Sequence, residues 1–259
     1  MRLINNLTKI VLIVEYDGKG YSGFQFQTNL PTIQGELENG ILKLTGERVR
    51  ILGASRTDRG VHAREQVVSF RIRSSLPLLA FVNGMNYYLP INIAVKAAYK
   101  VNNSFNPRRD AVSREYKYYI LNSQTRSPIR KDYTYMVRGK LDITSMNGAC
   151  QELIGEHDFA SFVTHMEDRI KITVRNVYNA NIEKDGELVI FDIKANSFLP
   201  HQVRNIVGTL IKIGLGKINI AEFCDIMEAK IPGLAGPTVP ACGLCLTKIY
   251  YPSPLGEVE

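Results

Sequence analysis

Tryptophan is absent from this 259-residue chain, and cysteine and histidine are scarce, at four residues each. Cys150, Cys224, Cys242 and Cys245 are too few for a disulfide framework in a chain this long, so a reducing cytoplasm is expected. Cys242-Gly243-Leu244-Cys245 has the spacing of half a structural zinc site, but no second CxxC and no paired-histidine spacing accompanies it. Neither metal nor redox chemistry is expected there. His62, His157, His165 and His201 are scattered and read as structural or nucleic-acid-contacting rather than as ligands. Long apolar runs are missing too. Ile10 to Val14 is followed at once by Glu15 and Asp17 without a small-residue cleavage site, so it reads as a strand and not a signal peptide. Nothing approaches the roughly 20 residues needed to cross a bilayer, and a soluble protein is expected. Acidic excess is also lacking: 32 Lys and Arg against 25 Asp and Glu leave a net charge of +7. That favours a polyanionic partner, without separating RNA from DNA or a membrane surface.

What is present can bury one large core or two modest ones, with 45% hydrophobic and 22% charged residues. Strand and helix signals alternate along the chain. Lys9 to Tyr16 is β-branched and reads as a strand. Thr32 to Leu44 places Ile33, Leu37, Ile41 and Leu44 at helical spacing behind Thr32 as N-cap. Strands are expected at Val49–Leu52, Val67–Ile72 and Ile93–Val101, with a helix over Leu78–Tyr88 that stops before Pro90. After the punctuated run Asn106-Pro107-Arg108-Arg109-Asp110 the pattern restarts. Strands are expected at Glu115–Leu121, Lys171–Glu183, Leu188–Ala195 and Leu244–Tyr251, and helices at Ile143–Ile154, Gln202–Ile213 and Ala221–Ala229. The class is α+β, as two similar domains, each an antiparallel or mixed sheet with helices on one face. The expected boundaries are residues 1–105, residues 106–251 and a disordered tail at 252–259.

The segment Gly53-Ala54-Ser55-Arg56-Thr57-Asp58-Arg59-Gly60-Val61-His62-Ala63 sets one carboxylate between two arginines. Flanking cations favour the ionised form and hold its orientation, so Asp58 could attack an electrophile; a solvated loop ion pair is the plainer reading. Gly18-Lys19-Gly20-Tyr21-Ser22-Gly23 spells GxGxxG directly after a strand. A dinucleotide site would need a helix to open at the third glycine, whereas Phe24 to Pro31 continues as strand or loop. The glycines instead permit positive φ in a tight loop.

GASRTDRGVHA resembles the active-site motif of the TruA family of tRNA pseudouridine synthases. The resemblance continues through YDGKGYSGFQFQ (Tyr16–Gln27), NYYLP (Asn86–Pro90), REYKYYI (Arg114–Ile120), GEHDFASF (Gly155–Phe162), FLPHQVRNIVGTL (Phe198–Leu210) and AGPTVPACGLCL (Ala235–Leu246), in family order over nearly the whole chain. It implies isomerisation of uridine to pseudouridine at positions 38, 39 and 40 of the tRNA anticodon stem-loop, by a cytoplasmic homodimer without metal, nucleotide or redox cofactor. It also implies two domains whose sheets join across a central basic RNA-binding cleft.

By the same resemblance Asp58 matches the nucleophile, Tyr116 the active-site tyrosine that contacts the base, and Arg204 the arginine that pairs with the aspartate. From pattern alone, the plainer reading of Tyr116 is a strand aromatic packing a core, since alternation puts it on one face with Tyr118 and leaves Tyr119 on the other. Arg204 could be a helix-end arginine reaching solvent. Arg56, Arg59, His62, Arg64, Arg108, Arg109 and Arg114 are expected RNA contacts, supplying affinity without reading sequence. The chain departs from the family at Phe24, where a tryptophan is usual, at Gln202 for methionine, and at Asn106 and Pro107 for histidine and alanine. A non-catalytic RNA-binding or chaperone protein, or a related synthase acting on other RNA sites, are the alternatives.

Overall fold

The computed structural model describes residues 7–165 and 172–256. In chain order the elements are β1 (Thr8–Tyr16), α1 (Ile33–Thr45), β2 (Leu52–Gly53), β3 (His62–Ile72), α2 (Leu78–Tyr88), β4 (Ile93–Val101), β5 (Ser113–Asn122), β6 (Tyr135–Val137), α3 (Ile143–Gln151), β7 (Gly155–Asp158), β8 (Val174–Asp185), β9 (Leu188–Ala195), α4 (Gln202–Gly214), α5 (Ile220–Ala229) and β10 (Leu244–Tyr250). The architecture is α+β. Two compact units divide it: Met1–Val112 with Leu246–Glu259, and Ser113–Cys245. The sequence reading set its boundary at 105/106 and kept the last strand with the second half; here most of β10 returns to the first unit.

In the first unit the sheet order is β4-β1-β3-β10, with β2 also on β3. β1 pairs antiparallel with both β3 and β4, matching Ile10 with Phe70 and Leu12 with Val68. These residues form the face that the helices cover: Phe70 meets Phe81 of α2 with ring centroids 6.0 Å apart. Ile33, Leu37 and Ile41 of α1 are buried in the same core. Thr32 caps α1, its side chain accepting from Gly35 N, as its place before the apolar stripe predicts. The expected strand at Val49–Leu52 is reduced to Leu52–Gly53. Side chains from α1 take the backbone of Ile51 instead, Glu38 accepting from its N–H at 3.0 Å and Gln34 donating to its carbonyl at 3.2 Å. Asn86 of α2 closes a two-way bond with Val95, accepting from its N–H at 2.7 Å and donating to its carbonyl at 2.8 Å. Asn86→Ala should therefore cost about 1–2 kcal/mol in urea unfolding by stranding both groups.

The second unit orders its sheet β5-β9-β8-β7, with β6 parallel to β5. β6 and β7 were not anticipated; at three and four residues they are too short to show a period-two pattern. α3 ends at Gln151, three residues short of the expected helix, and is capped by Asp142, whose carboxylate accepts from Thr144 N and Ser145 N. The expected strand from Lys171 begins at Val174, Lys171 itself lying outside the described residues. Eleven residues of α4 are buried, so this helix is the centre of the unit's core.

Of the expected disordered tail, residues 252–256 are described and carry bends; a Cβ at Gly256 would lie 2.7 Å from Lys100 O. Residues 257–259 lie outside the described residues. Among the described residues no helix is long and apolar enough to cross a membrane.

Candidate active site

Asp58 lies between β2 and β3, where its carbonyl accepts from Val61 N at 3.1 Å and closes a four-residue turn. Gly60 occupies the third position with φ +80, a conformation that this turn type assigns to glycine. Asp58 is half-buried, and Arg56, Arg59 and Arg64 are exposed around it. The backbone on the approach side is fixed from below. Buried Thr57 places its hydroxyl 2.8 Å from the Tyr16 hydroxyl, and its carbonyl accepts from Phe24 N at 3.0 Å. Gln66, fully buried in β3, holds Ser55 from both sides: Nε2 donates to Ser55 O at 2.7 Å and Oε1 accepts from Ser55 N at 3.2 Å. Gln66 Nε2 also reaches the Tyr16 hydroxyl at 3.4 Å. Gln66→Leu keeps the volume but leaves the Ser55 amide and carbonyl unmatched. We expect a loss of about 2–3 kcal/mol in urea unfolding, with turnover falling more than substrate affinity because the loop, not the surface, has moved.

The glycines of the Gly18–Gly23 loop serve this turn. A Cβ on Gly18 would overlap the carbonyl of Val61, and one on Gly23, where φ is +99, would sit 2.8 Å from Thr57 O. The first needs glycine for close approach and the second for both approach and conformation. Phe24, at the position where a tryptophan is usual, is buried between the Tyr16 ring, 6.5 Å away, and Gly53. His62 is buried too. Its Nδ1 lies 3.1 Å from Gly18 N, which donates to it, and 3.0 Å from an Asp17 carboxylate oxygen.

In the second unit, alternation along β5 buries Arg114, Tyr116, Tyr118 and Ile120 on one face. Tyr118 is the core residue of the pair: it is fully buried and its hydroxyl donates to Pro240 O at 2.7 Å. Burial pushes its phenol pKa up, with Cys242 adding to the rise and Arg204 opposing it. Tyr116, 6% exposed, stands edge-on to Phe198 at 5.2 Å. Arg204 is half-buried in the first turn of α4, and its Nε donates to Val239 O at 2.8 Å. The helix enters through His201 at φ +60, a left-handed position rare for a residue with a side chain. Gln202 closes that turn, its Oε1 accepting from Leu199 N at 2.8 Å, which a methionine could not do. The Cys242-Gly243 segment packs under the Tyr118 ring, and Cys242 Sγ donates to Thr134 O at 3.5 Å. Burial raises the Cys242 thiol above its usual pKa.

The remaining arginines separate by environment. Arg108 and Arg109 are exposed on a loop organised by Asn106, whose side-chain oxygen accepts from both their amides at 3.0 and 3.1 Å. The asparagine at this departure from the family pattern thus makes a local cap. Arg114 is 7% exposed and donates to Asn196 O at 2.7 Å, an environment unlike that of the exposed arginines.

Sequence reading missed the second tier of both sites. Besides Gln66 and Thr57, it overlooked Asn205, Gly208 and Thr209, which with Arg204 fasten α4 to residues 235–240. Asn205 Nδ2 donates to Phe162 O and its Oδ1 accepts from the Thr238 hydroxyl. Thr209 donates to Ala235 O, and a Cβ on Gly208 would overlap Pro237 O. Polar residues and a glycine on an otherwise apolar helix were the available signal.

Comparison with known proteins places these residues in a family. The family described as tRNA pseudouridine synthase matches residues 12–108 and 149–252. The chain belongs to that family. It is an RNA-modifying isomerase of the uridine-to-pseudouridine type. It is 39% identical over 247 residues to tRNA pseudouridine synthase A of Geobacter sp. (strain M21), covering 95% of this chain and 100% of the relative. To the proteins of the same name from Geotalea uraniireducens (strain Rf4) and Thermoanaerobacter sp. (strain X514) it is 41% identical over 245 residues, again covering 95% of this chain and 100% of each relative. The crystal structure of an archaeal box H/ACA sRNP Nop10-Cbf5 complex is similar at a TM-score of 0.35 and 12% identity, covering 78% of this chain and 44% of that one, too distant to carry an argument.

Proposed function

We propose that this chain converts uridine to pseudouridine at positions 38, 39 and 40 of the tRNA anticodon stem-loop, with Asp58 as nucleophile. The observation that carries the reading is the Asp58 turn: one half-buried carboxylate held by Gly18, Gly23, Thr57 and Gln66, with exposed arginines on either side. Such rigid placement is what a nucleophile needs, because misplacement by about 1 Å can cost on the order of a hundredfold in rate.

The reaction is an isomerisation. The N1–C1′ bond breaks, the uracil turns, C5 bonds to C1′, and the C5 proton leaves while N1 gains one. Asp58 serves by adding to C6 of the base or by assisting a glycal-like intermediate at the sugar. In either route the uridine leaves the helical stack. Tyr116 stacks its ring on the extruded base, base–aromatic stacking being worth roughly 1–3 kcal/mol. Arg204 is assigned, by the family likeness, as the residue that acts together with Asp58 on the substrate. Arg56, Arg59, His62, Arg64, Arg108, Arg109 and Arg114 form the RNA-facing set, of which the exposed members hold phosphates. The enzyme works in the cytoplasm as a homodimer, with one tRNA contacting both subunits. Choice of uridine follows the shape and flexibility of the stem-loop more than base edges, which suits one enzyme serving three adjacent positions.

The test is a set of tRNAs carrying uridine at only one of positions 38, 39 and 40, incubated with enzyme and mapped for pseudouridine. Modification at each of the three, and at no uridine outside the anticodon stem-loop, is expected. Modification confined to another arm of the tRNA would overturn the site assignment.

A further inference from the structure

The first unit carries a second basic feature at the far end of β3 from the Asp58 turn. β3 runs from His62 to Ile72, about 30 Å at roughly 3.3 Å per residue. There an open groove of about 560 Å³ is lined by Lys9, Arg48, Arg50, Arg71 and Arg73, together with Glu47 and short apolar stretches. Its two central cations are placed against electrostatic preference. Lys9 and Arg71 are direct partners across the β1–β3 ladder, so their side chains leave the same face, and like charges so placed repel. Both turn to one neutral acceptor, Asn103 O, at 3.5 and 3.0 Å. Burial and then Arg71 lower the Lys9 pKa, Asp110 raising it and Arg109 lowering it again, which brings Arg109 into the same field.

The acids nearby do not balance this charge. Glu47 accepts from the Arg73 amide at 3.1 Å, and Glu38 pairs with Arg50 at 3.1 Å. A neutral or apolar partner would leave the repulsion standing, whereas a polyanion relieves it. Among the described lining residues the aromatic is Phe70, buried at 2% exposure, and the ring of exposed Phe26 beside the groove is taken by the Arg50 guanidinium at 4.9 Å. The contact it suits is therefore a chain of phosphates rather than a nucleotide base.

We propose that this groove binds the sugar-phosphate backbone of the substrate tRNA outside the anticodon stem-loop, as a second anchoring site remote from the Asp58 turn. The proposal rests on the reading of the chain as a tRNA enzyme. It assigns Lys9, Arg48, Arg50, Arg71 and Arg73 a role in whole-tRNA affinity and none in the chemical step.

The experiment compares wild type with Arg48→Glu/Arg71→Glu, both sites being exposed, and with Arg48→Lys/Arg71→Lys, which keeps the charge. Binding is measured against salt for full-length tRNA and for an isolated anticodon stem-loop. For full-length tRNA the glutamate variant should lose at least about tenfold in affinity near 0.1 M salt, and the slope of log K against log salt should flatten by about 2. The lysine variant should bind like wild type, and the stem-loop should bind all three proteins equally. Unchanged tRNA binding by the glutamate variant, or an equal loss on the stem-loop, would overturn the proposal. Pseudouridine formation by wild type, scored in parallel, separates the two readings. Formation with unaltered binding by the glutamate variant sinks the groove alone. Salt-dependent tRNA binding without any product sinks the catalytic reading alone.

Discussion

Asp58→Asn is expected to abolish pseudouridine formation while leaving tRNA affinity within about threefold of wild type, since phosphate contacts dominate such binding. The substitution is nearly isosteric, and the turn that carries it is closed by the backbone bond from Val61 N to the Asp58 carbonyl. Ser55 and Thr57 stay anchored through Gln66 and Tyr16, so the loop should keep its shape. What disappears is the negative oxygen. An amide neither adds to C6 nor assists departure of the base from C1′, and losing a nucleophile outright typically costs on the order of 10⁴-fold or more. Single-turnover rates beside filter binding read the two quantities separately. Turnover within tenfold of wild type would remove Asp58 from the nucleophile's role.

Gly23→Ala is the second large effect, and Gly20→Ala is its control. Both glycines have positive φ, +85 at Gly20 and +99 at Gly23, but a Cβ meets nothing within 4 Å at Gly20 and lies 2.8 Å from Thr57 O at Gly23. Backbone strain alone costs about 1–3 kcal/mol, and that should be the whole of the Gly20→Ala effect, with turnover preserved. At Gly23 the obstacle is backbone, which yields only by moving residues 57–59. A shift approaching 1 Å at the nucleophile should lower kcat by roughly a hundredfold on top of the stability loss. Equal turnover in the two variants would mean that the Gly18–Gly23 loop does not position Asp58.

The contrast between these glycines also marks how far the sequence was legible. α2, β4 and β9 were readable to their end residues, because each pairs a continuous periodic signal with clear stops at Pro90, Gly186 or Pro77. The Thr32 cap followed from its residue type and its place just before the apolar stripe. β3 was anticipated only from Val67, since its first five residues, His62 to Gln66, are mostly polar and owe their strand conformation to pairing with β1 through Tyr16 and Ala63. GxGxxG read as a tight glycine loop, but the reason that Gly18 must be glycine is Val61, forty-three residues away and invisible to local pattern. Gln66 lay just outside the expected strand, and its partners Ser55 and Tyr16 become neighbours only in the folded sheet. Asp58, Tyr116 and Arg204 were singled out through the family likeness. Their supports were not, because a buried hydrogen bond leaves no periodic trace.

The measurement that bears most directly on the central claim is tritium release from tRNA labelled at C5 of uridine, since joining C5 to C1′ must expel that hydrogen. Wild type is expected to release one tritium for each pseudouridine formed, and Asp58→Ala none, although both bind the labelled tRNA. Tight binding by wild type without any release would contradict the claim.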